Sequence, residues 1–358
     1  MQATCHVSLE AITQNYTYFQ KRAYPGRVIP VVKANAYGHG ALAITNHLHT
    51  TLGVDTFAVA TLEEAQELSA DFHDISILIF SRVFPAELHS VPENAILTVG
   101  SMEDARALSN SSTSAIRVHL NVNTGMNRLG VTPEEVLDII GGDVSNMQIE
   151  GVYSHFSSSD TPSELVYARQ NSNFKNLVEK LRAKGFTGMI HIANSAASLH
   201  DGQTPFDAVR LGIGLYGYDT SPGGYQQTYL SPAMTVRAPL IRVARIKAGE
   251  SVSYAEKWQS AVDTNIGTLR IGYADGYTRA LTNRGMVSYN DNSYPVIGTV
   301  TMDHIMIDLG QDMPQTGEMF VVMGGENPKV QIKTISKILD TIPYEICCAI
   351  SPRVNRIY

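Results

Sequence analysis

The apolar run VIPVV is followed at once by a lysine in VVKANAYGHG, residues 31–40, and then come a tyrosine, two glycines and a histidine. A charged amine at the inner end of a buried strand is costly unless it is paired or made neutral. Lys33 therefore either has an ion partner or is placed there to react. Further polar residues follow later apolar runs: Arg128 in NTGMNRLG, His155 in GVYSHFSSSD, Asn194 and Ser195 in HIANSAAS, and Arg210 just ahead of Gly212 and Ile213 in VRLGIGLYG. An amine can form a Schiff base with a carbonyl. A guanidinium such as that of Arg128 can clamp a carboxylate bidentately. Ser195, Tyr37 and the backbone N–H groups around Gly212 and Ile213 can hold a phosphate. A phosphorylated aldehyde, pyridoxal phosphate, suits all three roles.

Taken singly, each residue has a plainer reading. A lone lysine after a strand is more often half of a salt bridge, and a lone histidine such as His155 is more often a satisfied polar core residue. GIGLYG at 212–217 has the form GxGxxG, but a dinucleotide site needs a helix to open there, and the continuation YDTSPGGY is no helix. What favours chemistry is the shared placement of the set.

That placement depends on the elements between. Apolar runs at 28–33, 57–60, 75–80, 95–99, 115–122, 148–154, 189–193 and 207–213 read as about eight strands. LEEAQELSA at 62–70 and TPEEVLDII at 132–140 read as helices with acidic first turns, the second with a threonine cap and proline at its first position. A longer helix is expected over 163–185. Strand–helix alternation of this kind predicts an α/β fold, a (β/α)8 TIM barrel, with a doubly wound sheet as the rival. In a barrel, functional residues collect where strands end and loops begin, which is where the reactive set falls. Beyond residue 230, alternating runs such as MTVRAPLIRVARI and YPVIGTVTMDHIMIDL are broken by Gly and Pro and predict a mostly β domain. We divide the chain into a barrel domain at 1–229 and a C-terminal β domain at 230–358, with the boundary in SPGGYQQTYLSP.

Composition narrows the partners. The 358 residues are 44% hydrophobic and 17% charged, enough for a large core and a second domain. A net charge of −7 without a basic stripe argues against nucleic acid or an acidic membrane surface. Three cysteines, two of them adjacent, with no CxxC, read as free thiols in a reducing compartment. No secretory signal or membrane-spanning run is visible, so a cytoplasmic protein is expected. No metal site is expected.

The chain resembles the bacterial alanine racemases. VVKANAYGHG is similar to their cofactor-lysine signature, and NTGMNRLG, YSHFSSSD, HIANSAAS, VRLGIGLYG, VSYAEKW, IGYADGYTR, GTVTMDH and ISPRVNRIY fall in the family's order. The resemblance implies a homodimer with shared active sites, acting on a small amino acid through pyridoxal phosphate held as a Schiff base on Lys33. Lys33 would then be the base on the D-face of the substrate. Tyr254 of the partner subunit would be the base on the L-face. Tyr37, Ser195, Gly212, Ile213 and Tyr273 would hold or line the phosphate, with Asn194 nearby. Arg128 would contact the cofactor's phenolic oxygen and the substrate carboxylate, and the backbone of Met302 of the partner subunit would help bind that carboxylate. Arg210 would face the pyridine nitrogen, with His155 and His191 in the polar network around it. The product would be D-alanine for peptidoglycan.

Two positions depart from the family pattern. Many members carry a carbamylated lysine seven residues before the barrel arginine; here it is Asn121, and a chloride beside Asn121 and Arg128 is the expected counter-ion. Pro352 stands where many members have a tyrosine, which opens a broad amino-acid or serine racemase as the second reading. A pyridoxal-phosphate decarboxylase and a barrel-only cofactor carrier are further alternatives. Tyr254 and the short RLGIG turn argue against the first, and the β domain argues against the second.

Overall fold

The computed structural model describes residues 1–111, 114–142, 146–160, 164–200, 206–220 and 229–358. The stretch 221–228, which holds most of the expected domain boundary, lies outside them, as does the first residue of the helix expected over 163–185. The chain divides into two compact units, Ile12–Ala36 with Ala41–Ser231, and Met1–Ala11 with Tyr37–Gly40 and Pro232–Tyr358.

The first unit holds eight parallel strands, numbered here along the chain after an N-terminal strand β1 (Thr4–Val7): β2 (Arg27–Pro30), β3 (Thr56–Val59), β4 (Ser76–Ile79), β5 (Ala95–Val99), β6 (Ile116–Asn121), β7 (Met147–Tyr153), β8 (Met189–His191) and β9 (Ala208–Leu211). They pair in the order β2-β9-β8-β7-β6-β5-β4-β3. The ends of that order meet: Val31 bridges Ala58, and Val32 N–H donates to the Ala58 carbonyl at 2.9 Å. The sheet therefore closes as a TIM barrel, and the doubly wound alternative falls. Each expected strand is present within a few residues of its sequence position. Parallel strands bury both faces, which is why β5, AILTV, is buried throughout. Two connecting helices start where their caps require. Thr61 and Glu64 form a capping box at Leu62–Asp71, and Thr132 and Glu135 form another at Pro133–Gly141 with Pro133 in the first turn. The helix expected over 163–185 is described as Glu164–Ala183.

The second unit is mostly β and antiparallel. Its strands β10 (Met234–Ile246), β11 (Thr264–Leu269), β12 (Met286–Tyr289), β13 (Asn292–Ile297), β14 (Ile305–Gly310) and β15 (Met319–Gly324) pair in the order β11-β14-β13-β12-β15-β10, and β10 returns to pair with β11. A register shift between Leu240 and Arg242 lets the long β10 serve β15 with one half and β11 with the other. β1 adds to β10, and the C-terminal strand β16 (Asn355–Ile357) adds in parallel to β1.

Candidate active site

The strand carrying Lys33 is tied at its end. Val31 N–H donates to the Leu211 carbonyl, and the Tyr216 hydroxyl donates to the Val31 carbonyl, both at 2.9 Å. Immediately after Lys33 the backbone turns left-handed. Ala34, Asn35, Ala36 and Tyr37 have φ of 51°, 53°, 52° and 53°. Four consecutive L-residues in this region cost about 1–2 kcal/mol each relative to a right-handed turn. Such strain persists only where the surroundings fix it. Glu64 Oε1 accepts from Ala34 N–H at 2.6 Å, Oε2 accepts from Ala60 N–H at 2.7 Å, and Asn35 Oδ1 accepts from Ala41 N–H at 2.8 Å.

Arg210, on β9, is buried and well bonded. Nη1 donates to His191 Nδ1 at 2.7 Å; Nη2 donates to the Ser154 carbonyl at 2.6 Å, the Ile192 carbonyl at 3.0 Å and His155 Nδ1 at 3.1 Å. Its guanidinium lies 5.1 Å from the centre of the Tyr153 ring, which stacks on His191 at 5.0 Å. Burial lowers the Arg210 pKa to about 10, so the group is still a cation at neutral pH. His155, by contrast, is held neutral. Burial first, then the charges of Arg210, Arg128 and Lys33, lower its pKa to about 3. Of the cations that the sequence assigns to the site, Arg210 touches His155 directly, and the charges of Arg128 and Lys33 act on the same imidazole.

Ser195 begins the helix Ser195–His200, and its Oγ accepts from Gly212 N–H at 3.0 Å and Gly214 N–H at 3.1 Å. A hydroxyl has two acceptor positions and one hydrogen. With both acceptor positions used, the Ser195 hydrogen is directed to another acceptor. Asn194 supports local structure, since its Oδ1 accepts from Ala197 N–H at 3.0 Å and from the Ser159 hydroxyl at 2.8 Å. Arg128 sits exposed in a loop closed by Asn123 N–H to the Val131 carbonyl and Val131 N–H to the Asn121 carbonyl, at 2.8 and 2.9 Å. Asn123 Oδ1 gathers Gly125 and Asn127 N–H inside it. Asn121 itself is buried.

The β unit holds the other four expected residues. The Tyr37 ring lies 5.8 Å from that of Tyr344, and Arg356 Nε donates to the Gly38 carbonyl beside it at 3.0 Å. Tyr273 and Met302 lie on paired segments: Tyr273 N–H donates to the Thr301 carbonyl and Ala274 N–H to the Met302 carbonyl, each at 3.0 Å. Tyr254 is 71% exposed and lines a cavity of about 680 Å³ with Arg242, Ser253, Thr301 and His304.

Pyridoxal phosphate fits this donor set. The hydrogen bonds of Arg210 use Nη1 and Nη2; among the described residues none is made by Nε, so one N–H of a cation remains for a ring nitrogen. An amine, a hydroxyl hydrogen at Ser195 and a cationic surround complete what an anionic aldehyde needs. Among the described residues no cluster of His, Cys, Asp or Glu could hold a metal ion, and no helix is long and apolar enough to cross a membrane.

Three supporting residues have no signal in the sequence. His119 Nδ1 lies 3.0 Å from His191 Nε2, and Gly151 opposite it has no space for a side chain because the imidazole fills it. Tyr153 and Glu64 are the others. His119 sits mid-strand in RVHLN and Glu64 in the first turn of a helix, positions that read as strand and cap; no local pattern distinguishes them.

Comparison with known proteins places these observations. Residues 7–220 match the family described as alanine racemase, N-terminal domain, and residues 233–358 match alanine racemase, C-terminal domain. The chain is similar to alanine racemase 1 of Clostridium acetobutylicum, with 37% identity over 98% of this chain and 94% of that one. It is 36% identical to the alanine racemase of Geobacter sulfurreducens over 98% and 96%. Among solved structures, alanine racemase of Clostridium difficile 630 superposes with a TM-score of 0.93 at 29% identity, over 100% and 96% of the two chains. The Bartonella henselae alanine racemase, solved with covalently bound pyridoxal phosphate, gives 0.89 at 29%, over 100% and 99%.

Proposed function

We infer that this chain, which belongs to the alanine racemase family and interconverts L-alanine and D-alanine, does so with two bases on opposite faces of the substrate. Lys33 Nζ moves the α-proton on the D-face, and the hydroxyl of Tyr254 of the partner subunit moves it on the L-face. The family is dependent on pyridoxal phosphate. That cofactor, when bound, supplies an electron sink that acidifies the α-hydrogen of an attached amino acid.

The protein's part is to hold and orient. Lys33 would carry the cofactor, at the end of a strand tied to its neighbours and ahead of a turn held by Glu64. The Ser195 hydroxyl and the backbone at Ile213 would hold the phosphate, with Gly212 N–H fixing Ser195 Oγ, and the family reading assigns Tyr37 and Tyr273 to the same group. Arg210 would donate Nε–H to the ring nitrogen. A guanidinium keeps its proton, so it binds that nitrogen without protonating it. Arg128 and the backbone N–H of Met302 of the partner subunit would bind the substrate carboxylate. Asn121 is neutral where Arg128 needs a counter-ion, and a chloride beside the two supplies it; assay in chloride-free acetate buffer would then lower kcat/KM, and unchanged kcat/KM would contradict it.

Lysine and tyrosine both have reference pKa values near 10 and are poor bases unaided, which is why racemisation needs them positioned against the reacting carbon. The observation that carries this reading is that the strand leading to Lys33 pairs with the strand bearing the buried Arg210, Ile29 lying opposite Arg210. The homodimer, cytoplasmic location and supply of D-alanine to peptidoglycan follow from the same family reading. Purified protein should show an absorbance band near the edge of the visible range that borohydride abolishes and Lys33→Ala lacks. It should also remove the optical rotation of L- or D-alanine. Carbon dioxide release without racemisation would mean a decarboxylase instead.

A further inference from the structure

Tyr254 stands at the tip of a turn whose backbone is strained on both sides. Ser253 has φ 67° and ψ −170°, a combination essentially confined to glycine. Ala255 and Glu256 follow with φ of 61° and 47°. None of the three is glycine, so the turn is held against its own preference.

What holds it is a reciprocal pair of bonds from one neighbouring segment. The Ser253 hydroxyl donates to the Thr299 carbonyl at 2.7 Å, and the Thr299 hydroxyl donates to the Tyr254 carbonyl at 2.9 Å. Thr299 is buried, at 2% exposure, while Tyr254 is exposed. The support continues behind them. Asn283 accepts from Gly298 N–H at 2.6 Å and donates to the Lys257 carbonyl at 3.0 Å, so it ties the end of the turn to the supporting segment. Gly298 has φ 68°, and any Cβ there would meet the Val252 carbonyl at 2.5 Å; the two segments approach too closely for a side chain. Val252, Ile266 and Ile297 pack underneath, with Trp258 against them.

A glycine at 253 would relax the backbone, so the serine is kept for the bond its side chain makes to the Thr299 carbonyl. Its hydroxyl is what glycine lacks. We propose that Ser253 and Thr299 are positioning residues for the Tyr254 phenol, locking a strained turn so that the L-face base is presented at a fixed place. This rests on the reading of Tyr254 as that base.

The test uses holoenzyme and the variants S253G, T299V, T299S and Y254F, with melting temperature and kcat for both directions. α-Deuterium isotope effects are measured on L- and D-alanine. S253G is expected to melt at or above the wild-type temperature yet lose about 10- to 100-fold in kcat, the scale of a misplaced catalytic group. Its isotope effect should rise with L-alanine, where Tyr254 removes the proton, and should not rise with D-alanine. T299V should behave alike, and T299S should restore activity. If S253G melts lower, the comparison of T299V with T299S decides in its place. Wild-type kcat and isotope effects in S253G and T299V, or a loss with both isotope effects unchanged, would overturn the proposal while Y254F stayed inactive. A Y254F enzyme that still racemised alanine would instead remove the reading of Tyr254 on which the proposal stands.

Discussion

Arg210 Nη1 donates to His191 Nδ1 at 2.7 Å, and this one bond sets the hydrogens of two imidazoles. An arginine only donates, so His191 Nδ1 accepts and its hydrogen sits on Nε2. That hydrogen then points to His119 Nδ1, 3.0 Å away, and places the hydrogen of His119 on its own Nε2. The chain of donors runs outward from the guanidinium, and it works only while both rings are neutral.

Acidification should therefore unfold the barrel early. Burial, then Arg117 and Arg210, lower the His119 pKa to about 3, and burial with Arg210 and His119 holds His191 well below the usual imidazole value. Both groups have folded values beneath their unfolded value of about 6.5, so the unfolded chain binds more protons in that window. The stability they contribute is complete above pH 6.5 and is lost as pH falls toward 3. Urea unfolding from pH 7 to 5 should show stability falling by up to about 1.4 kcal/mol per pH unit for each such histidine, and His119→Gln should flatten that slope.

Arg210→Glu should change the products as well as the rate. The variant puts a carboxylate among carbonyls that now accept from Nη2, at a cost of about 3–5 kcal/mol in stability. A carboxylic acid, unlike a guanidinium, can give its proton to a ring nitrogen and strengthen the electron sink. The share of alanine converted to pyruvate should rise in a lactate dehydrogenase-coupled assay. An equal share in both enzymes would refute this role for Arg210.

The turn after Lys33 predicts two opposite effects. Glu64→Gln replaces an acceptor with an amide N–H facing backbone donors at Ala34 or Ala60 and Thr61, and should cost about 1–3 kcal/mol. Ala34→Gly removes a Cβ from a left-handed, exposed position and should gain about 0.5–1 kcal/mol. Thermal denaturation of the two variants checks the signs.

Substrate choice should follow alanine despite the exposed Pro352. Turnover with serine, lysine and arginine should be at least about tenfold below alanine, since a pocket resolves a methylene or hydroxyl by roughly that factor. A panel of the four amino acids on purified enzyme checks it.

Much of the architecture is legible in the sequence because apolar runs bounded by polar loops carry the barrel rhythm, and because Lys33, Arg128, His155 and Arg210 each follow or end such a run. What is not legible depends on partners remote in sequence or on backbone geometry. β1 pairs with β10 and β16, more than 220 residues away, so nothing in TCHV marks it as part of the β unit. The left-handed turn Ala34–Tyr37 contains no glycine, and no residue type in ANAY announces it. The helices Leu9–Ala23 and Met102–Ser111 are hard to read because their polar faces dilute the apolar stripe.

The division of labour between Lys33 and Tyr254 is tested most directly by α-proton exchange in deuterated water with the Tyr254→Phe enzyme. D-alanine should still exchange its α-proton and keep its configuration, because Lys33 can remove and return a proton on one face. L-alanine should exchange at least about a hundredfold more slowly than with the wild type, the scale of losing a general base. Exchange of L-alanine at the wild-type rate would contradict the two-base account.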